Sequence, residues 1–248
     1  MDPSQVISIA QRAGAAIMNI YERTFTVDYK LDETPITEAD RVANRIITAD
    51  LSNEFPGIPI LSEENQVIPY DERKTWETFW LIDPLDGTRE FVNKNDEFTI
   101  NIALIRQQTP IFGVVYAPAK DLLYFTANDE AFRLGPESAI TPLPIKQPKR
   151  KAKIVIVSRS HFNSATTAYL RTLQGDFDLM VLGSSLKLCF VAEGSADLYP
   201  RCSPTMEWDI AAAHAVVNKV SKHVYQLHTC NDLIYNKRDL HNPWFVVK

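Results

Sequence analysis

Residues 80–91 read WLIDPLDGTREF. Asp83 and Asp86 are separated by Pro84 and Leu85 and are followed at once by Gly87 and Thr88. Two readings of this stretch compete. An Asp-Gly pair is a strong turn signal by itself. Against that, Asp83 closes an apolar run, so its carboxylate emerges at a strand end, where sites of sheet proteins commonly lie. Pro84 fixes φ and stiffens the corner. Both carboxylates and the Leu85 carbonyl can then face one pocket. Such a set of hard oxygen ligands suits Mg²⁺ rather than zinc.

Other acids stand at comparable places. Glu63 and Glu64 end the apolar run IPILS, and Asp209 begins the helical pattern EWDIAAAHAVV. Taken singly, the first pair reads as a solvated loop and Asp209 as a first-turn acid favoured by the helix dipole. Taken together, Glu63, Asp83, Asp86 and Asp209 form a clump of like charges. Their ionisation is disfavoured unless cations neutralise them, which two or three Mg²⁺ ions would do. Gly87 lets the backbone approach a ligand closely, and Gly87-Thr88 opens a helix whose free N–H groups suit a phosphate.

The elements that must position these groups follow from periodicity. Val6, Ile9, Ala10, Ala13, Ile17 and Ile20 predict a helix over residues 4–22. Ala39, Val42, Ala43, Ile46, Ile47 and Leu51 predict a second, beginning at Thr37 with Asp40 in capping-box position. IPILS, FWLID, FTINIALI, IFGVVYA, LLYFTA and EAFRL predict strands, which read as an antiparallel meander with helices on one side. Residues 135–153 are rich in Pro, Lys and Arg and read as a junction. The basic run 146–153 is either a solvated linker or a phosphate contact. Two subdomains follow: residues 1–145, with most of the acids, and residues 146–248, with Asp209. The second subdomain alternates KIVIVS, a helix over 164–174, FDLMVL, SLKLCFVAEG, ADLYP, EWDIAAAHAVVN, HVYQL and WFVV, which predicts a mixed sheet covered by helices. The fold class is α+β.

Bulk properties narrow the function. The chain has 248 residues, 45% hydrophobic and 23% charged, with a formal net charge of −5. That balance argues against a general nucleic-acid or membrane-surface binder. It does not exclude an anionic substrate, because bound cations invert the local sign of a site. The three cysteines, Cys189, Cys202 and Cys230, are far apart and form no C-x-x-C pair, as expected in a reducing compartment. The N-terminus has no basic segment before its apolar run, and no run approaches the ~20 residues that span a bilayer. A cytoplasmic protein without a transmembrane segment is expected.

The motifs LSEE, DPLDGTREF, NDEFTINIALI, GVVYAPA, SRSH, GSSLK, VAEGSADLYPR and WDIAAAHAV resemble those of the inositol monophosphatase-like superfamily of Mg²⁺-dependent, Li⁺-sensitive phosphatases. Among its branches they are most similar to the 3′(2′),5′-bisphosphate nucleotidases. Inositol phosphatases more often carry Thr-Asn where this chain has Arg89-Glu90. The resemblance runs along nearly the whole chain. It implies a five-layered α-β-α-β-α sandwich and a small-molecule nucleotide substrate. The implied reaction removes the 3′-phosphate of adenosine 3′,5′-bisphosphate (PAP), a by-product of sulfate activation and sulfotransfer, to give AMP and phosphate; PAPS is a further candidate substrate.

Carried over residue by residue, the resemblance implies metal ligands at Glu63, Asp83, the Leu85 carbonyl, Asp86 and Asp209. It implies two or three Mg²⁺ ions, with Thr88 and Glu63 orienting the attacking water and Asp40 pairing with Thr88. Substrate contacts are implied at Glu63, Leu85, Asp86, Gly87, Thr88, His161, Ser184, Ser185, Lys187, Arg201 and Asp209. Lysine and a forked guanidinium are good phosphate partners. A monomer or homodimer is expected, cytoplasmic or peripheral at the inner face of a membrane. Rival readings are an inositol or sugar phosphatase on the same metal platform, and a non-catalytic PAP sensor. One departure is local: the stretch NKVSKHVYQLHTCNDLIYN contains no glycine where family members often have several, which bears on turn geometry and on no implied ligand.

Overall fold

The computed structural model describes residues 2–29, 35–66 and 68–248. The first apolar periodicity becomes α1 (Pro3–Tyr21), capped by Asp2, whose carboxylate accepts the Ser4 N–H at 2.9 Å. Strands β1 (Val27–Tyr29) and β2 (Pro35–Thr37) pair antiparallel and lead into α2 (Glu38–Glu54). The expected capping box is present: Ala39 N–H donates to Thr37 Oγ1 at 3.1 Å, and Thr37 N–H to Asp40 Oδ2 at 2.7 Å.

Next come β3 (Ile60–Ser62), α3 (Tyr70–Arg73), β4 (Thr78–Asp86), α4 (Thr88–Val92), β5 (Thr99–Arg106), β6 (Thr109–Ala117), β7 (Leu122–Ala127), β8 (Glu130–Leu134) and β9 (Ile140–Pro142). The seven strands form one sheet in chain order, with β3 parallel to β4 and every other pair antiparallel. β9 lies inside the stretch read as a junction, at a sheet edge, where a proline is tolerated.

The second half contributes β10 (Lys153–Ser158), α5 (Ser164–Leu170), β11 (Phe177–Leu182), α6 (Leu186–Glu193), β12 (Tyr199–Arg201), α7 (Glu207–Val217), β13 (Val224–Gln226) and β14 (Phe245–Val247). β10 and β11 are parallel, and β12, β14 and β13 form an antiparallel trio. A parallel bridge between Val155 and Leu198 joins the two groups. The Asp197 carboxylate reinforces that bridge by accepting the Ile154 N–H at 2.8 Å. The expected helix over 164–174 is shorter because the chain turns after Leu170, where the Thr172 hydroxyl donates to the Tyr169 carbonyl at 2.7 Å.

Alternation along the long strands sorts their side chains between two cores. Trp80, Ile82, Ile100, Ile102 and Val114 pack with α1 and α2. Phe79, Leu81, Ala103, Ile105 and Val115 pack with α6, α7 and the inner face of the second sheet. The meander therefore carries helices on both faces, not on one. On the far side, Leu170 of α5 packs with Val155, Val157 and Leu198. The layers run α1/α2, large sheet, α6/α7, small sheet, α5, as the resemblance implies. In the glycine-free C-terminal stretch, left-handed backbone falls on Ser221, Cys230 and Asn236, with φ of 52°, 57° and 61°. No helix among the described residues is long and apolar enough to cross a membrane.

Helix α7 lies unusually close to the large sheet. A Cβ at Gly113 on β6 would stand 2.2 Å from the Ala212 carbonyl oxygen. The small residues Ala211, Ala212 and Ala213, all fully buried, answer this glycine and seat Asp209 against β4 and β5. Because the obstacle is backbone, Gly113→Ala should cost about 1–3 kcal/mol, the usual range for overpacking. Urea or thermal unfolding measures it; an unchanged midpoint would show that α7 tolerates displacement.

Candidate active site

The stretch from Trp80 to Phe91 is not a hairpin turn. β4 runs through Asp83 to Asp86, with Asp83 opposite Asn101 and Asp86 opposite Thr99 on β5. Three steps on one strand therefore match two on the other, which is a β-bulge carrying one extra residue. In a regular strand, residues three apart point to opposite faces. The bulge, with Pro84 inside it, turns both aspartates toward one cleft. Gly87 then takes φ +89° and starts α4, a left-handed step that favours glycine.

Three acids from three elements converge here. Ligand oxygens of Glu63, just beyond β3, Asp83 on β4 and Asp209 in the first turn of α7 lie within 4.8 Å of one another. Asp86 lines the same cleft and accepts from Thr99 Oγ1 at 3.5 Å. Asp209 also caps its helix, its Oδ2 accepting the Met206 N–H at 3.0 Å, so the helix-acid and cluster readings hold together. Thr88 Oγ1 lies 3.2 Å from Asp40 Oδ1 and 3.3 Å from the Leu85 carbonyl. Asp40 does not line the cleft itself; it reaches it through Thr88, while its other oxygen serves the α2 cap.

The remaining expected residues, His161, Ser184, Ser185, Lys187 and Arg201, line the opposite wall with Arg89 and Tyr199. Lys187 is buried and donates to the Ser184 carbonyl. Arg201, also buried, donates to Ser158 Oγ at 3.3 Å and to the Pro204 carbonyl at 2.9 Å. Arg150 from the basic run ties instead to the Ser195 and Gly194 carbonyls beyond α6, and residues 146–153 do not line the cleft.

Electrostatics separate the two walls. Burial, then Glu63, Asp86 and Asp209, pushes the Asp83 carboxyl well above the usual carboxylate range. Burial, Asp86 and Glu63 do the same to Asp209. Asp86 rises to about 6 through burial, opposed by Lys187. Across the cleft, burial and the Arg201 charge bring Lys187 down to about 8. His161 falls to about 4 through burial and the Arg201, Arg89 and Lys187 charges, so its ring is neutral at neutral pH. Crowded carboxylates with hard oxygens fit a divalent cation, which removes the repulsion that raises their pKa values. A cationic wall facing such a cation site suits an anionic substrate.

Several residues in or behind this cleft were not singled out from sequence. Tyr199 lines it, while Glu97, Thr99, Asn101 and Arg159 lie behind the wall and are bonded to or within its loops. The period-2 placement of Thr99 and Asn101 in FTINIALI was the available signal, a polar face on an otherwise apolar strand.

Acids for hard cations facing a lysine–arginine wall, at the junction of two stacked sheets, define a phosphoryl-handling enzyme. The chain belongs to the inositol monophosphatase family, whose model matches residues 3–243. It is 43% identical over 223 residues to the 3′(2′),5′-bisphosphate nucleotidase CysQ of Salmonella typhimurium, covering 89% of each chain. The crystal structure of CysQ from Bacteroides thetaiotaomicron superposes with a TM-score of 0.89 at 41% identity, over 99% of this chain and 96% of that one. The extragenic suppressor protein suhB of Bartonella henselae, at 24% identity, shares the fold with a TM-score of 0.77 over 98% and 92% of the two chains.

The raised carboxyls set a direction for stability. Asp83, Asp86 and Asp209 bind protons more tightly folded than unfolded, so this contribution is present at acid pH. It is lost as pH rises from the ordinary carboxylate range through the raised folded values, about 6 for Asp86, with Asp83 and Asp209 raised in the same direction. In chelator, the melting temperature should fall as pH rises from about 4 through about 6, and Mg²⁺ should restore more of it at the upper end. Asp83→Asn should melt higher than wild type in chelator at the alkaline end, by about 2–4 °C per kcal/mol of relieved repulsion, and should respond less to Mg²⁺. Calorimetry checks this; a wild type indifferent to both pH and Mg²⁺ would count against a cation site.

Proposed function

We propose that this enzyme is a 3′(2′),5′-bisphosphate nucleotidase that hydrolyses the 3′-phosphate of PAP to AMP and phosphate in sulfur metabolism, with Mg²⁺ as its cofactor. The observation that carries the reading is the convergence of Glu63, Asp83 and Asp209 within 4.8 Å, in a cleft whose other wall presents Lys187 and Arg201. The bisphosphate-nucleotidase relatives favour a nucleotide over an inositol ester.

Glu63, Asp83, the Leu85 carbonyl, Asp86 and Asp209 would hold two or three Mg²⁺ ions. When bound, these supply an activated water at neutral pH and offset charge on the transferring phosphoryl group. The Thr88 hydroxyl is held by Asp40 and by the Leu85 carbonyl, which leaves an oxygen lone pair to accept a hydrogen bond from the attacking water and orient it. Asp40 is fixed in turn by the Thr37 N–H and hydroxyl, each at 2.7 Å. Gly87 would meet the reacting phosphate through its backbone; its φ of +89° and the Glu97 carbonyl, 3.2 Å from where a Cβ would stand, both favour glycine there. The N-terminal subdomain, residues 1–145, thus carries the reaction, and Asp209 completes its site. The C-terminal subdomain, residues 146–248, receives the nucleotide: Lys187 and Arg201 face the second phosphate, Ser184 and Ser185 contribute hydroxyls, and neutral His161 faces the base.

Phosphate release from PAP and from inositol 1-phosphate tests the assignment. PAP should be strongly preferred, and Asp83→Asn should abolish turnover; preference for the inositol ester would replace the reading by an inositol phosphatase. Binding of PAP with no turnover of either ester would replace it by a sensor. Thr88→Ala should lower kcat about 10²-fold, the size expected when a reacting group loses its positioning. Asp40→Asn should lower it less and should also reduce the melting temperature, because it weakens the α2 cap; steady-state kinetics and a melt report both.

A further inference from the structure

One face of β5 and the residues before it carries a buried polar ladder. Phe98, Ile100, Ile102 and Leu104 belong to the α1–α2 core, whereas Ala103 and Ile105 belong to the core on the α6–α7 side. Alternation places Glu97, Thr99 and Asn101 on that second side. All three are buried, and each is bonded to the second half of the chain. Asn101 Nδ2 donates to the Asp209 carbonyl at 3.3 Å, and its Oδ1 accepts the Ser185 hydroxyl at 2.7 Å. Thr99 Oγ1 lies 2.9 Å from Ser185 Oγ.

Glu97 makes the strongest set. It accepts Arg159 Nε at 2.8 Å, Arg159 Nη2 at 2.7 Å and the Gly183 N–H at 2.7 Å. Beside it, Glu90 accepts the Ser160 hydroxyl. The fit is tight: a Cβ on Gly183 would come within 2.7 Å of Glu90 Cγ and 3.0 Å of Glu97 Cβ. One carboxylate therefore pins two loops, the one after β10 that carries His161 and the one after β11 that carries Ser184 and Ser185 and leads into α6 with Lys187. Bidentate, charge-assisted bonds of this kind fix geometry as well as add energy. Glu97 itself does not line the cleft.

We propose that Glu97 is a positioning residue for substrate recognition. It sets the distance between the Asp83–Asp86 bulge and the wall from Ser184 to Lys187, and so selects phosphoesters whose alcohol part extends into the second half. The proposal rests on the phosphatase reading above and deepens it. The reacting phosphate meets groups on β3, β4, α7 and the first turn of α4, whereas the bonds of the Glu97 carboxylate run to Arg159 and Gly183. Losing Glu97 must therefore weaken binding of the rest of the substrate while sparing chemistry on a small ester.

Steady-state kinetics on Glu97→Ala, Arg159→Met and the double variant, with PAP and with p-nitrophenyl phosphate, test this. Glu97→Ala should raise KM for PAP about tenfold, equivalent to about 1.4 kcal/mol, with kcat within twofold. Both constants for p-nitrophenyl phosphate should stay within twofold of wild type. The double variant should be no worse than Glu97→Ala alone. Should Glu97→Ala fail to fold, Glu97→Gln, which keeps an acceptor for Gly183, should raise KM for PAP about threefold. An unchanged KM for PAP, or a parallel loss on both esters, would overturn the proposal. Turnover of PAP by wild type tests the functional reading separately. If wild type prefers inositol 1-phosphate, that reading fails, and the same KM ratio taken on the inositol ester still decides the role of Glu97.

Discussion

Mutual repulsion among carboxylates is the constraint around which the structure is arranged. Glu63, Asp83 and Asp209 bring oxygens within 4.8 Å of one another, with Asp86 in the same cleft. Left alone, such a cluster would drive its elements apart or take up protons; burial first, and the neighbouring acids after it, raise the carboxyls of Asp83 and Asp209. The fold opposes it with rigid backing. Asp83 and Asp86 sit on a strand paired with β5 on both sides of the bulge, and Asp209 stands on a helix whose Ala212 lies against Gly113 with no space for a further carbon. The acids come from elements anchored in two separate hydrophobic cores, so no single local rearrangement relieves the crowding.

Large stretches of this were legible from residue patterns. Long amphipathic helices and alternating strands announce themselves through period alone, and α1, α2 and the strands from β4 to β8 lie close to where periodicity puts them. The acids were legible because each ends or begins an element. Asp40 and Asp209 show why weighing one role against another can mislead. Each carboxylate has two oxygens: Asp40 caps α2 with one and meets Thr88 with the other, and Asp209 caps α7 while joining the cluster. In both residues the capping role and the site geometry coexist.

What stayed hidden depends on register and on contacts between distant segments. The bulge between Asp83 and Asp86 exists only relative to β5, and the sequence of β4 alone reads as a turn. The helices on the second face of the large sheet come from residues beyond 185, and nothing within the meander announces them. β9 is three residues long and ends in proline, below any periodic signal. The bonds from Glu97 to Arg159 and Gly183 span 62 and 86 residues of chain. A polar residue inside an apolar strand signals that a partner exists, since buried polar groups are hydrogen-bonded; it does not say which partner.

The two walls of the cleft divide the electrostatic work in a way that couples them. Asp86 is raised by burial and lowered by Lys187, and Lys187 is lowered by burial and raised by Asp86. Each is thus kept charged partly by the other, across the boundary between the acid cluster and the cationic wall. A cation among the acids would weaken the hold of Asp86 on Lys187, because it competes for the same carboxylate. An anionic substrate against Lys187 and Arg201 would supply the replacement negative charge. A cation and an anion bound there would therefore favour one another through Asp86 and Lys187. The separation of those two side chains is governed by the β4 bulge on one side and the loop after β11 on the other. That separation is the dimension the buried ladder along β5 holds constant: Thr99 meets both Asp86 and Ser185, one from each wall.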